Sequence, residues 1–225
     1  MADRIQDTRK IADGLYILNF GFVCSYILDA GSSVVAFDAG MAPAKVISES
    51  SKLRVDPARV GHVFLTHSDR DHVGGLPAFP NAKVHLPKDE LAMLDRSTAR
   101  FFGLVYNRPL DRDFEPLEDG QVLEIGSATI RCISTPGHTA GSMSFLVNDS
   151  IMIVGDELNL KDHVAVLDRG FISIDNRKRG ESIRKLAGFA GARLLCTMHS
   201  GYTDDFGKAM EGWRERSDPA DRTAG

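Results

Sequence analysis

The residues with the most chemistry in the least space are Thr66-His67-Ser68-Asp69-Arg70-Asp71-His72, followed by the pair Gly74-Gly75. Two His and two Asp fall within six residues, directly after the apolar run Val63-Phe64-Leu65. Imidazoles and carboxylates crowded at one strand end are costly to hold together unpaired, and a multivalent cation is the usual solution. A polar, solvated loop is the alternative, and this stretch by itself does not choose between the two.

Further along, three more apolar runs end in groups of the same kind. Ile133-Ser134-Thr135 leads into Pro136-Gly137-His138-Thr139, Ile151 to Val154 into Gly155-Asp156, and Leu194 to Thr197 into His199-Ser200-Gly201. A lone His at a strand end is ordinarily a hydrogen-bonded surface residue, and Asp after Gly is ordinarily a turn. Taken together, however, His67, Asp69, Asp71, His72, His138, Asp156 and His199 make four His and three Asp. That donor set suits two divalent ions with room for water. His62 and His85 read as structural, and His163 as a loop residue.

These motifs resemble the metallo-β-lactamase-fold hydrolase superfamily, of the glyoxalase II and lactonase kind, over nearly the whole chain. Leu15-Tyr16-Ile17-Leu18 and Val35-Ala36-Phe37-Asp38-Ala39-Gly40 are similar to its opening strands and hydrophobic-Asp-x-Gly turn. His67-x-Asp69-x-Asp71-His72 resembles its metal motif, and Pro136-Gly137-His138-Thr139 its later Gly-His-Thr. The gaps of 65, 17 and 42 residues between His72, His138, Asp156 and His199 resemble the family's spacing. The resemblance implies an α/β fold, a four-layer αββα sandwich, with the site at one edge of its two sheets. It implies His67, Asp69 and His138 around one metal, Asp71, His72 and His199 around a second, and Asp156 bridging them. Asp38 would orient the motif loop from behind the ligands. Asp156 stands where some members have Cys, which speaks against an antibiotic-hydrolysing enzyme of the thiolate-ligated type.

Asp69 departs from the pattern, because the family ordinarily has His there. A carboxylate adds negative charge and a hard donor, which favours iron or manganese relative to zinc. The flavodiiron reductases are similar here, with Glu at this point. An oxygen or nitric oxide reductase with two irons is therefore the alternative to hydrolysis, although no flavodoxin-like region follows the core.

The elements that must position these residues can be read in order. Strands are expected over 15–19, 24–28, 34–38, 60–65 and 83–86, with helices over 44–52 and 87–96. Residues 97–116 read as a long loop or lid and 117–120 as a turn. Hairpins follow over 122–133 and 143–155, then a helix over 181–189, a strand over 194–196 and a closing helix over 204–216. A single domain is expected over 1–217, with 218–225 as a disordered tail. Strands with helices before and after the motif fit two β-rich layers covered by helices better than one doubly wound sheet.

Composition narrows the classes further. The 225 residues are 43% hydrophobic and 26% charged, with net charge −4. No basic footprint points to nucleic acid, and no apolar run reaches the roughly 20 residues of a membrane span. Arg177-Lys178-Arg179 reads as a solvated helix entrance. Three widely spaced Cys and a polar N-terminus without an apolar stretch suggest the cytoplasm.

The expected activity is hydrolysis of an ester, thioester, lactone or amide carbonyl by a metal-bound hydroxide, with two divalent ions (Zn, Fe or Mn) as cofactors. Asp71 would also accept and deliver a proton. The chain has no Gly-x-Ser-x-Gly elbow that would offer a serine nucleophile. Phe101, Phe102, Tyr106 and Tyr202 are candidates for a substrate wall. The partner is a small-molecule substrate, with a homodimer left open. A nuclease and a non-catalytic binding protein are weaker alternatives.

Overall fold

Strands of two kinds build the protein, and burial tells them apart. Ala128–Ser134 alternates buried and exposed residues at its start, as a strand with one face in water must. Met143–Val147 and Val34–Phe37 are buried at every position, so both of their faces are covered. The structure, a computed structural model, describes residues 2–99, 106–168 and 173–214.

In its first half are β1 (Arg9–Ala12), β2 (Leu15–Asn19), β3 (Cys24–Asp29), β4 (Val34–Phe37), α1 (Pro43–Lys52), β5 (Val60–Phe64), α2 (Arg70–Val73), β6 (Lys83–Pro87), α3 (Leu91–Leu94) and β7 (Glu115–Leu117). The strands form one sheet in chain order. The second half holds β8 (Val122–Ile125), β9 (Ala128–Ser134), β10 (Met143–Val147), β11 (Ile151–Val154), β12 (Asn159–Lys161), β13 (Val164–Val166), α4 (Asn176–Ala187), β14 (Leu194–Thr197), β15 (Gly201–Thr203) and α5 (Phe206–Arg214). Its main sheet runs β15-β14-β11-β10-β9-β8, with β12 and β13 as a separate hairpin.

Three apolar clusters make four layers of these elements. Between the sheets, Phe37, Phe64 and Phe145 pack with ring centroids 5.5–5.8 Å apart. On the outer face of the first sheet, Val46 of α1 meets Val63, Leu65, Leu76 and Phe79. On the outer face of the second, Ile183 and Leu186 of α4 and Phe206, Met210 and Trp213 of α5 cover Met152, Val154 and Leu195. The αββα sandwich is thus what the burial pattern requires.

Strand direction gathers the site. β4 and β5 are parallel, so Asp38 and His67 leave the first sheet at the same edge. β9 and β11 are both antiparallel to β10, and β14 is parallel to β11. The chain after each of these three strands therefore emerges at one edge too, carrying His138, Asp156 and His199. Met143 N–H donates to Thr66 O and Cys24 N–H to Met198 O, which joins the two edges. At Gly155 a Cβ would lie 2.7 Å from Thr66 Oγ1, so only glycine lets the end of β11 approach the motif loop this closely.

Several local expectations are corrected. The helix expected over 87–96 is a 3₁₀ turn, Lys88–Glu90, followed by the four residues of α3. The helix expected from 181 starts at Asn176, because the Asp175 carboxylate accepts from Arg177 N–H and Lys178 N–H and caps it. β7 lies across the boundary between the stretches read as loop and as turn, and part of the motif loop is the short helix α2. β1, β12, β13 and β15 were not expected, being short and weakly patterned. Arg177 and Lys178 are exposed as a solvated entrance requires, but Arg179 is buried. Phe101, Phe102 and the stretch 218–225 lie outside the described residues. Among the described residues no helix is long and apolar enough to cross a membrane.

Candidate metal centre

All seven sequence-predicted donor residues meet at this edge. Donor atoms within 4.8 Å of one another form three overlapping groups: His67, Asp69 and His138; His67, His72 and Asp156; and Asp71, His72 and His199. Asp69 Oδ2 lies 3.2 Å from His138 Nε2 and 3.5 Å from His67 Nε2. Asp71 Oδ2 lies 3.4 Å from His199 Nε2. Asp156 stands between the two halves, with Oδ1 3.3 Å from both His72 Nε2 and His199 Nε2 and Oδ2 3.5 Å from His138 Nε2.

The surroundings decide which imidazole nitrogen faces the centre. Asp38 accepts from Thr66 N–H and Thr66 Oγ1–H, at 2.8 Å each. Having donated its proton, the Thr66 hydroxyl must accept from His67 Nδ1–H, 2.9 Å away. His72 Nδ1–H donates to Asp38 Oδ2 at 2.7 Å, and His199 Nδ1–H donates to the Phe22 carbonyl at 2.7 Å. Each of these three rings therefore turns Nε2, with its lone pair, inward. Asp38 itself has φ of 57°, and this left-handed turn after β4 aims its carboxylate back over the loop.

Lone pairs facing carboxylate oxygens repel unless a cation lies between them. His67 Nε2, His72 Nε2 and Asp156 Oδ1 are fully buried and have no hydrogen-bond partner. The donor set thus fits divalent metal, which would satisfy all three. Without one, protons must serve. Burial pulls His67 and His72 down, yet the facing carboxylates outweigh it, raising His67 to about 9 and His72 well above its usual value. Burial raises Asp156, but His72, His138 and His199 more than reverse that and hold it well below the usual carboxylate range.

Three supporting residues were missed in the sequence. Glu90, fully buried, accepts from Ser68 N–H, Ser68 Oγ–H, Thr139 Oγ1–H and Gly141 N–H. It ties the motif loop to the His138 loop. Asn107 donates from Nδ2 to Ser68 Oγ and to Asp69 Oδ1 at 3.0 Å, which leaves Asp69 Oδ2 directed at the histidines. Arg179 donates to the backbone carbonyls of Asp156 and Asp168, and its backbone fills the space where a Cβ on Gly137 would sit. Glu90 followed Asp89 as an ordinary acidic first turn, so its sequence context carried no signal of burial.

Of the substrate-wall candidates, Tyr106 is exposed and Tyr202 is half-buried, its hydroxyl accepting from Arg9 at 2.8 Å. His62 and His85 pair with each other, Nδ1 to Nε2 at 2.9 Å, and His85 stacks on Phe64. His163 has φ of 62° at the β12–β13 turn.

Residues 18–209 match the model of the Metallo-beta-lactamase superfamily. The chain is 32% identical over 158 residues to the atrochrysone carboxyl ACP thioesterase AgnL7 of Paecilomyces divaricatus, covering 68% of this chain and 45% of that protein. It is 27% identical over 190 residues to the lactamase-like protein nscB of Neosartorya fischeri, covering 83% and 51%. The chain therefore spans about half the length of the curated relatives it matches. A B3 metallo-beta-lactamase described as having an active-site glutamic acid superposes with a TM-score of 0.71 at 21% identity, covering 93% of this chain and 86% of the other. A metallo-beta-lactamase family protein of Thermus thermophilus gives 0.69 at 22%, covering 95% and 80%. With fold, strand-end donors and matched sequence in agreement over most of its length, the chain belongs to the metallo-beta-lactamase superfamily.

Proposed function

We propose that the protein is a metal-dependent hydrolase of acyl substrates, with thioesters foremost. One observation carries this reading: seven donor side chains from two sheets meet with their imidazole lone pairs inward and three buried donor atoms unsatisfied. The name of AgnL7 supports the thioester class. His67, Asp69 and His138 would hold one ion, Asp71, His72 and His199 a second, and Asp156 both. A bound pair would supply hydroxide near neutral pH and polarise the scissile carbonyl.

The chain's own groups do the rest. Asp38, Thr66 and the Phe22 carbonyl fix the imidazoles. Asp71, with its side chain 23% exposed and beside His199, takes a proton and delivers it to the departing group. Asp69, a hard donor, makes iron or manganese serious competitors of zinc. That same carboxylate favours a second reading, reduction of oxygen or nitric oxide at two irons with electrons from a separate partner.

Elemental analysis of natively purified protein comes first, followed by a panel of thioesters, lactones and esters and by oxygen consumption with an electron donor. The hydrolase reading expects divalent metal, and turnover that a chelator abolishes and metal restores. Oxygen consumption without hydrolysis would transfer the assignment to the redox reading, and protein that binds no metal would end both.

A further inference from the structure

The seven donor side chains are not equally shielded. The side chains of His67 and His72 are fully buried and those of His138 and Asp69 are 6% and 11% exposed, whereas those of His199 and Asp71 are each 23% exposed. Among the described residues the centre is therefore most open beside His199. A cavity of about 710 Å³ begins there, walled by the N-terminal segment before β1 and by the turn between β2 and β3.

That segment is fastened down. Asp3 N–H donates to Leu160 O, and the Asp3 carboxylate accepts from Asp162 N–H and His163 N–H. Gln6 exchanges two hydrogen bonds with the Tyr202 backbone, and Asn19 Nδ2 donates to Ile5 O and Gln6 O. A wall held at so many points is preorganised for a ligand.

Most polar groups in the wall are spent on that fastening, and Arg9 is spent on the hydroxyl and ring face of Tyr202. Among the described residues, the side chains of Arg4 and Asp7 have no hydrogen bond or ion pair, and both are exposed on the cavity. One is donor only and the other acceptor only. An anionic ligand would meet Asp7 and a cationic one Arg4. A secondary amide offers its carbonyl to Arg4 and its N–H to Asp7, with no charge to oppose either. Phe22, 56% exposed and stacked near-parallel to His199 at 6.1 Å, supplies an apolar surface in the same cavity, beside the centre.

Resting on the hydrolase reading, we infer that this cavity is the subsite for the leaving thiol's chain, that Arg4 and Asp7 recognise a secondary amide in it, and that Phe22 contacts the methylenes preceding the amide. His199 and Asp71 are the most exposed of the donors, and so a chain leaving the centre on that side runs into the space that His199 borders.

The test uses one acyl group on three thiols: butanethiol, N-acetylcysteamine and 3-mercaptopropionate. The wild type is expected to favour the N-acetylcysteamine thioester over the butyl thioester by about tenfold in kcat/KM. Arg4→Ala and Asp7→Ala should each lower that ratio toward one, chiefly through KM. Equal use of all three thioesters, or unchanged ratios in both variants, overturns the inference. A preference for 3-mercaptopropionate that Arg4→Ala abolishes overturns it in favour of an anion site. If none of these thioesters is cleaved, the thioester part of the hydrolase reading fails, and binding of the S-ethyl thioether of N-acetylcysteamine decides the subsite. Weaker binding to both variants sustains it, and equal binding to all three proteins removes it.

Discussion

Asp38 Oδ2 sits 2.7 Å from His72 Nδ1 and accepts its proton, while its other oxygen holds Thr66 N–H at 2.8 Å. One carboxylate thus sets the ring of one donor and the loop that carries another. Asp38→Asn tolerates the left-handed backbone and keeps an acceptor for Thr66, but its amide opposes the His72 proton. Metal affinity should fall by roughly 10–100-fold with the fold intact. Chelator competition alongside circular dichroism measures both, and an unchanged affinity would remove the positioning role.

At Asp69 the expectation concerns which metal is kept. Asp69→His retains a site but replaces oxygen with nitrogen, shifting preference toward zinc. Growth with iron and zinc together, followed by elemental analysis, should show a higher zinc-to-iron ratio than in the wild type. The same ratio in both proteins would show that this carboxylate does not select the ion.

Asp156 lies between the two halves of the centre, within 3.5 Å of His72, His138 and His199. Asp156→Ala should therefore lower metal content and turnover in parallel. Loss of turnover with full metal content would leave Asp156 a role in the reaction but not in holding both ions.

Glu90 supports two loops from a fully buried position. Glu90→Gln keeps the shape but turns N–H groups toward donors, at a cost of about 1.5–3 kcal/mol. Urea unfolding of the metal-free variant should register this, with faster metal loss in the native protein as a second readout. A variant as stable as the wild type would contradict the account of its hydrogen bonds.

His85 gives a pH dependence away from the centre. Burial, reinforced by neighbouring His62, holds its pKa at about 4. As pH falls below 6.5 the unfolded chain takes up a proton that the folded chain refuses until about pH 4. The unfolded state binds more protons in that window, so stability drops there as the solution is acidified, by on the order of 2–3 kcal/mol. His85→Gln should flatten this part of the profile. Unfolding midpoints at several pH values between 4 and 7 make the comparison.

What the sequence determined by itself was the set of strand ends and the donors on them. The apolar runs before His67, His138, Asp156 and His199 are local patterns, and resemblance to a family supplied their convergence. The same resemblance, through the hydrophobic-Asp-x-Gly turn, supplied the supporting role of Asp38. Tertiary structure alone decided the tautomers, since the partners of the ring nitrogens, Thr66, Asp38 and the Phe22 carbonyl, include groups up to 177 positions away. It also decided that Arg179, inside a basic run, is buried, and that Glu90, in an acidic turn, is a brace between loops, one of them 49 residues away in the chain. Burial of a charged side chain depends on distant donors arriving to satisfy it, and short-range periodicity carries no record of them. The opening beside His199 belongs to the same class. It exists because an N-terminal segment without regular structure is laid along the edge by hydrogen bonds to β15 and the β12–β13 turn.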